Sequence, residues 1–391
     1  AMIRDCSFSS VWMYKPDIYM KLDFDIPTKE IERRKEKVRR VWNYEEVDHI
    51  PIWFDLGFNP WGYTVREELT DKEKQLRLRL YSIQQSLELI PDDYIPSVFI
   101  NIGCVGVDNA FGLPVHWSDN PDQTPYAKGP LIGNPEDVYN IQKPDIQRDG
   151  MFPQFLDFLT YFLKELDEQV YVSGLDNNGI LGVAHDILGA DNFYLTMVDD
   201  PQKIDHLAGL ITETIIEFTE EVIRLAGDIN RLASSDWFYF WCPEGKKGHV
   251  SSDTSANYQT DFFNRFDVPF NNKVVRKFGP GLLHNCGPNP CGPDYLNHDP
   301  PLSGVNLAYR YSKDDFPALK EPYRHKGVIY IIYDNETPEE ALHTYGEVME
   351  ILAPDVIAMP IVFIPDESTD VPRLYEQFLS ISKEYARRIW R

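Results

Sequence analysis

No run in this 391-residue chain stays apolar for the roughly 20 residues that a membrane-spanning helix needs, so a helical membrane protein is excluded. The opening stretch AMIRDCSFSSVWMYKP also lacks the charged-then-apolar layout of a secretion signal, and the expectation is a soluble, cytoplasmic protein. Cysteine is scarce. The five present, Cys6, Cys104, Cys242, Cys286 and Cys291, are odd in number and widely spread, unlike the dense framework of a small disulfide-stapled domain, and they point to a reducing compartment. Basic residues are outnumbered, 38 Lys and Arg against 62 Asp and Glu. The resulting charge of −24 repels nucleic-acid phosphates and anionic lipid, which leaves a small molecule or a protein as partner. There is no Gly-rich phosphate loop and no Ser-centred nucleophile elbow. Internal repeats and Gly/Ser linkers are missing too, so nothing divides the chain into separate units.

What the chain does have is alternation. Short apolar runs rich in β-branched and aromatic residues occur at 50–55, 97–102, 170–175, 229–234, 281–286, 304–309, 327–333 and 356–363, eight in all. Helical signals lie between them. Asp199-Asp200-Pro201 predicts a capped start for a helix with one apolar face from Ile204 to Ile223, stopped at Gly227. Thr337-Pro338-Glu339-Glu340 predicts another start. Near-continuous apolar strands alternating with amphipathic helices imply a parallel sheet covered by helices, and eight such units favour an α/β fold closed as a single (β/α)₈ TIM barrel. The organisation this predicts is an N-terminal helical extension over 1–45 and a barrel over 46–391, with long loop insertions after some strands.

In such a barrel the chemistry belongs at the carboxyl ends of the strands. The polar residues there include Asp55, Asn101, Asp176, Asn177, Asn178, Asp236, Trp237, His284, Cys286, Arg310, Tyr333 and Asp334. Asp55, Asn101, Asn178, Trp237, Arg310 and Tyr333 are the candidates for binding substrate. Asp236, His284 and Cys286 are the candidates for chemistry. His284 and Cys286, two apart at a strand end, can face one ion and make half a zinc site, and the third ligand is open among Cys291, His298, Asp299, Asp366 and Glu367. The aromatic, Gly-containing stretch 236–260 has the make-up of a substrate lid.

Several segments together resemble the uroporphyrinogen decarboxylase superfamily, which includes corrinoid-linked methyltransferases. They are RRKEKVRRVWNYEEVDHIPIW, DNAFGLPVHW, GPLIGNPEDVYNIQKPD, SSDW and above all KFGPGLLHNCG. The resemblance is closer to the methyltransferases, because the Arg-rich motif of true uroporphyrinogen decarboxylases is replaced by PIWFDLGFNPWG. It implies zinc on His284 and Cys286, a third ligand after the last strand where this chain reads IPDEST, and methyl transfer between a corrinoid carrier such as methylcobalamin and a thiol or tetrahydrofolate. With folate as acceptor, Asp236 or Asn178 would orient the pterin. The rival readings are a decarboxylase or lyase of a non-porphyrin acid, using Arg310, and a non-catalytic subunit that binds a corrinoid protein. A corrinoid protein and a second copy of the chain are the macromolecular partners to consider.

Overall fold

The computed structural model describes residues 27–391 and shows an α/β barrel. Its strands are β1 Trp53–Leu56, β2 Ser97–Val98, β3 Tyr171–Val172, β4 Gly248–Ser251, β5 Pro280–Asn285, β6 Gly304–Ala308, β7 Val328–Tyr333 and β8 Ile357–Ile364. Six of them pair in parallel in the order β1-β8-β7-β6-β5-β4, and β2 pairs in parallel with β3. Both faces of the sheet are covered, which is why VIYIIY in β7 and IAMPIVFI in β8 are almost wholly buried and carry no polar alternation.

The wall departs from expectation on one side. The run at 229–234 was expected to be the fourth strand, but Ile229–Arg231 is a turn of 3₁₀ helix, started by the Asp228 carboxylate accepting the Asn230 N–H. Residues 232–236 then lie wedged between β3 and β4. Ala233 N donates to Val172 O at 2.8 Å, Gly174 N to Asp236 O at 2.8 Å, and Ser235 N to Lys247 O at 2.8 Å. A Cβ on Gly174 would sit 2.2 Å from the Ser235 carbonyl oxygen, so only glycine lets these two backbones approach. Leu232 bridges Val172 in parallel, and the next regular strand is β4, inside the stretch expected to be a lid. Phe238, Phe240, Trp241 and Cys242 of that stretch are buried and form wall, because their apolar surface gains more from the core than from water.

The helices follow their signals with one exception. Thr337 and Glu340 make a reciprocal capping box at the start of Pro338–Leu352. Gly227, at φ 88°, ends Pro201–Ala226. Asp200 makes no side-chain cap there; its carboxylate pairs with Lys203 at 2.9 Å instead. The first described helix, Thr28–Trp42, adds Ile31, Val38, Val41 and Trp42 to the same core as the barrel, and Trp42 Nε1 donates to the Tyr330 hydroxyl at 2.9 Å.

A buried polar knot ties this helix to the barrel. Asp93, 2% exposed, accepts from Lys37 Nζ at 3.1 Å, lies 3.0 Å from His49 Nε2, and accepts from the Ile52 N–H at 3.1 Å and the Tyr375 hydroxyl at 2.8 Å. Burial opposes ionisation of Asp93, but His49 and Lys37 outweigh it and hold the carboxyl down at about 2. The knot joins the first helix, the entry to β1, the loop before β2 and the last helix, Val371–Ile389.

Candidate active site

At the carboxyl ends of the strands the wall opens into a cavity of about 440 Å³. Parallel pairing of β4 with β5 sets His284 beside Ser251, and both side chains reach this space. Cys286 follows two residues later, on the same side as the two-residue period of a strand requires. Asp253, two residues past Ser251, completes a cluster. His284 Nε2 is 3.3 Å from Cys286 Sγ and 3.6 Å from Asp253 Oδ1, and the ligand atoms of all three lie within 4.8 Å of one another.

These spacings suit zinc. With metal–ligand bonds of about 2.0–2.3 Å, a tetrahedral centre holds neighbouring donors roughly 3.3–3.8 Å apart, and nitrogen, sulfur and carboxylate oxygen are all ligand types it accepts. Asp253 Oδ1 accepts the Cys286 N–H at 2.6 Å, which orients the carboxylate. The Trp237 ring packs edge-on to His284 with centroids 5.2 Å apart, which fixes the imidazole plane. His284 Nδ1 is buried with no hydrogen-bond partner, so the ring lacks the outer partner that usually strengthens a histidine ligand. Burial and then the charge of Asp253 push the Cys286 thiol well above its usual range, and a bound cation is what would make it a thiolate.

Among the residues expected at the site, Asp55, Asn178, Trp237, His284 and Cys286 do border the cavity. Tyr333 borders it too, and its buried hydroxyl lies near Thr344 on the helix that follows β7. Asp236 is 1% exposed and lies beneath the cavity. Its Oδ1 accepts the Trp237 N–H at 2.6 Å and its Oδ2 is 3.4 Å from His249 Nδ1, so it positions Trp237 and has no face toward a ligand. Asn101 belongs to a turn, its side-chain oxygen accepting the Gly103 N–H at 2.8 Å. Arg310 lies outside the cavity and donates to Asn335 Oδ1 at 3.2 Å.

None of the five expected third ligands reaches the pair. Cys291 is fully buried and points its sulfur at the Tyr258 carbonyl, 3.3 Å away. Asp366 accepts the Ser368 N–H at 2.8 Å, and Glu367 accepts the Tyr81 hydroxyl at 2.5 Å. His298 is buried against the Tyr295 carbonyl, where desolvation drives its pKa down to about 4, and Asp299 pairs with Arg276. Sequence reasoning missed Asp253, Ser251 and Cys104, all of which line the cavity. The signal for the first two was a single β-branched residue, Val250, ahead of Ser-Ser-Asp.

Asp176, also on the cavity, is pushed up to about 8 by burial and then by the charge of Asp236. In an unfolded chain the same carboxyl titrates near 3.8. The folded protein therefore holds an extra proton between about pH 4 and pH 8, and this contribution to stability is present below pH 4 and lost as pH rises to 8. Asp176→Asn is expected to raise stability relative to the parent by at least about 1 kcal/mol at pH 8 and by little at pH 4.5. Urea unfolding at the two pH values checks this, and a pH-independent difference would refute it.

An α/β barrel with a chemical cluster at the carboxyl ends of its strands defines a class of enzyme-like scaffold, not one activity. The sequence profile of the uroporphyrinogen decarboxylase (URO-D) family matches residues 33–236, more than half of the chain, and the chain belongs to that family. The match stops at Asp236, before Asp253, His284 and Cys286. No curated protein sequence matches the chain. Among solved structures, a methyltransferase from Methanosarcina mazei is similar over 90% of this chain and 99% of its own, with a TM-score of 0.64 at 15% identity, which is a likeness of fold.

Proposed function

We propose that this protein is an enzyme that moves a methyl group between a corrinoid carrier and a small acceptor, with zinc held by Asp253, His284 and Cys286. The observation that carries this reading is the convergence of those three donors on one cavity at the mouth of the barrel. Asp253, His284 and Cys286 would hold the zinc, which would supply the lowered pKa that keeps an acceptor thiol as thiolate, the form that attacks a methyl group. The chain's own part is orientation: Trp237 holds the imidazole, Asp236 holds Trp237, and the Cys286 N–H holds Asp253.

The other versions have less support. A decarboxylase needs a cation for the substrate carboxylate, and no lysine or arginine lines the cavity among the described residues. The same holds more strongly for a porphyrin with many carboxylates. For the folate version, Asp236 is sealed under Trp237, and the Asn178 amide already donates to Asp186 at 3.0 Å. The test is methyl exchange with methylcobalamin and a thiol, followed by the appearance of the cob(I)alamin spectrum. Exchange that falls at least about 100-fold in Cys286→Ser is the expected result. No spectral change with any thiol or folate acceptor would favour the non-catalytic, corrinoid-protein-binding reading.

A further inference from the structure

The cavity's charge is one-sided. With Asp253 assigned to the metal, three more carboxylates line it, Asp55, Asp176 and Asp334, and among the described residues no lysine or arginine does. Asp55 shares a hydrogen bond with the Tyr239 phenol and feels Arg79. Asp176 and Asp334 have no basic partner among the described residues; Asp334 accepts only from the Asn335 amide, at 2.7 Å. Aromatic side chains line the cavity together with the acids. Phe99 stacks on Tyr239 with centroids 5.6 Å apart, and Trp237 and Phe363 flank the opening.

A second observation is independent of the charges. Ser251 is 5% exposed, lines the cavity, and its hydroxyl has no hydrogen-bond partner. A buried hydroxyl left unpaired is costly, and in a ligand cavity it marks a place where a ligand group completes the bond.

We propose that the small molecule this cavity takes carries an alkylammonium group, seated among Asp176, Asp334 and the aromatic faces with an N–H toward Ser251. Ammonium groups are attracted by carboxylates and by the faces of aromatic rings, most strongly where water is excluded. Asp176, protonated at neutral pH in the empty cavity, gives up its proton when an ammonium group sits beside it, whereas an anion meets no positive group there. Naming this molecule the methyl acceptor rests on the reading above; its charge class does not. A small aminothiol spans both halves of the site, thiol toward the Asp253–His284–Cys286 cluster and ammonium toward the acids.

The test is a charge series on one skeleton. Calorimetric titration of the full chain, with and without one equivalent of zinc, compares 2-aminoethanethiol, 2-mercaptoethanol and 2-mercaptoethanesulfonate at fixed ionic strength. Ethylammonium and ethanol repeat the comparison without a thiol. The expected order is cation, neutral, anion, with the cation at least about 10-fold tighter than the neutral compound. Asp334→Asn and Asp176→Asn, each checked for folding by circular dichroism, are each expected to reduce that preference at least about 5-fold. An anion that binds as tightly as the cation overturns the proposal. So does a preference that neither variant changes, or one that potassium chloride reproduces in place of ethylammonium chloride. Charge ordering without methyl exchange keeps this assignment and removes the methyl-transfer reading; methyl exchange to the sulfonate without charge ordering does the reverse.

Discussion

Protein purified without chelator is expected to hold about one zinc per chain, and Cys286→Ser, His284→Ala or Asp253→Asn is each expected to weaken its binding at least about 10-fold. The reason is geometric: three donors are already gathered, so deleting one leaves a two-ligand site below the number a catalytic zinc needs. Because His284 Nδ1 has no outer partner, the zinc should also be removable by mild chelation. Elemental analysis decides the matter. A stoichiometric metal that survives in all three variants would place it elsewhere, and Cys291→Ser serves as control because its sulfur faces the Tyr258 carbonyl.

The second large effect concerns stability. Asp93→Ala is expected to cost about 3–5 kcal/mol, since it leaves the buried Lys37 charge without its buried counter-ion and strips partners from His49, the Ile52 N–H and the Tyr375 hydroxyl together. The exposed pair of Lys72 with Asp157 is the contrast, and Lys72→Ala is expected to change stability by less than about 1 kcal/mol. Guanidinium unfolding midpoints for the two variants measure the difference. Equal midpoints would mean that the knot contributes no more than a surface ion pair.

The barrel was legible because its strands are buried on both faces: the continuous apolar runs that became β5 to β8 have no other stable place. His284 and Cys286 were legible for a related reason, their two-residue spacing at the end of such a run. Asp253 was hidden because β4, Gly-His-Val-Ser, has one large apolar residue and is recognised only by its partners β5 and the 232–236 segment. The apolar run ahead of it, Ile229 to Ala233, drew the strand assignment: its first half is a 3₁₀ turn, and only from Leu232 does it pair with β3. Which acid lies above the wall and which beneath it depends on contacts between residues 13 to 62 apart in the chain, such as Asp236 with His249 and Gly174 and Asp253 with Cys286, and local pattern does not report those.

β1 has its ladder with β8, Trp53 against Ile361, so the two partners are separated by about 300 residues of chain. On a ribosome adding about 5–20 residues per second, β1 leaves the exit tunnel and then waits roughly 15–60 s for its neighbour to be made. Over that interval Trp53, Phe54 and Leu56 form an uncovered strand edge, the kind of surface that recruits chaperones or pairs with another nascent chain. The order of synthesis thus leaves the first strand without its ladder partner while the rest is still being translated.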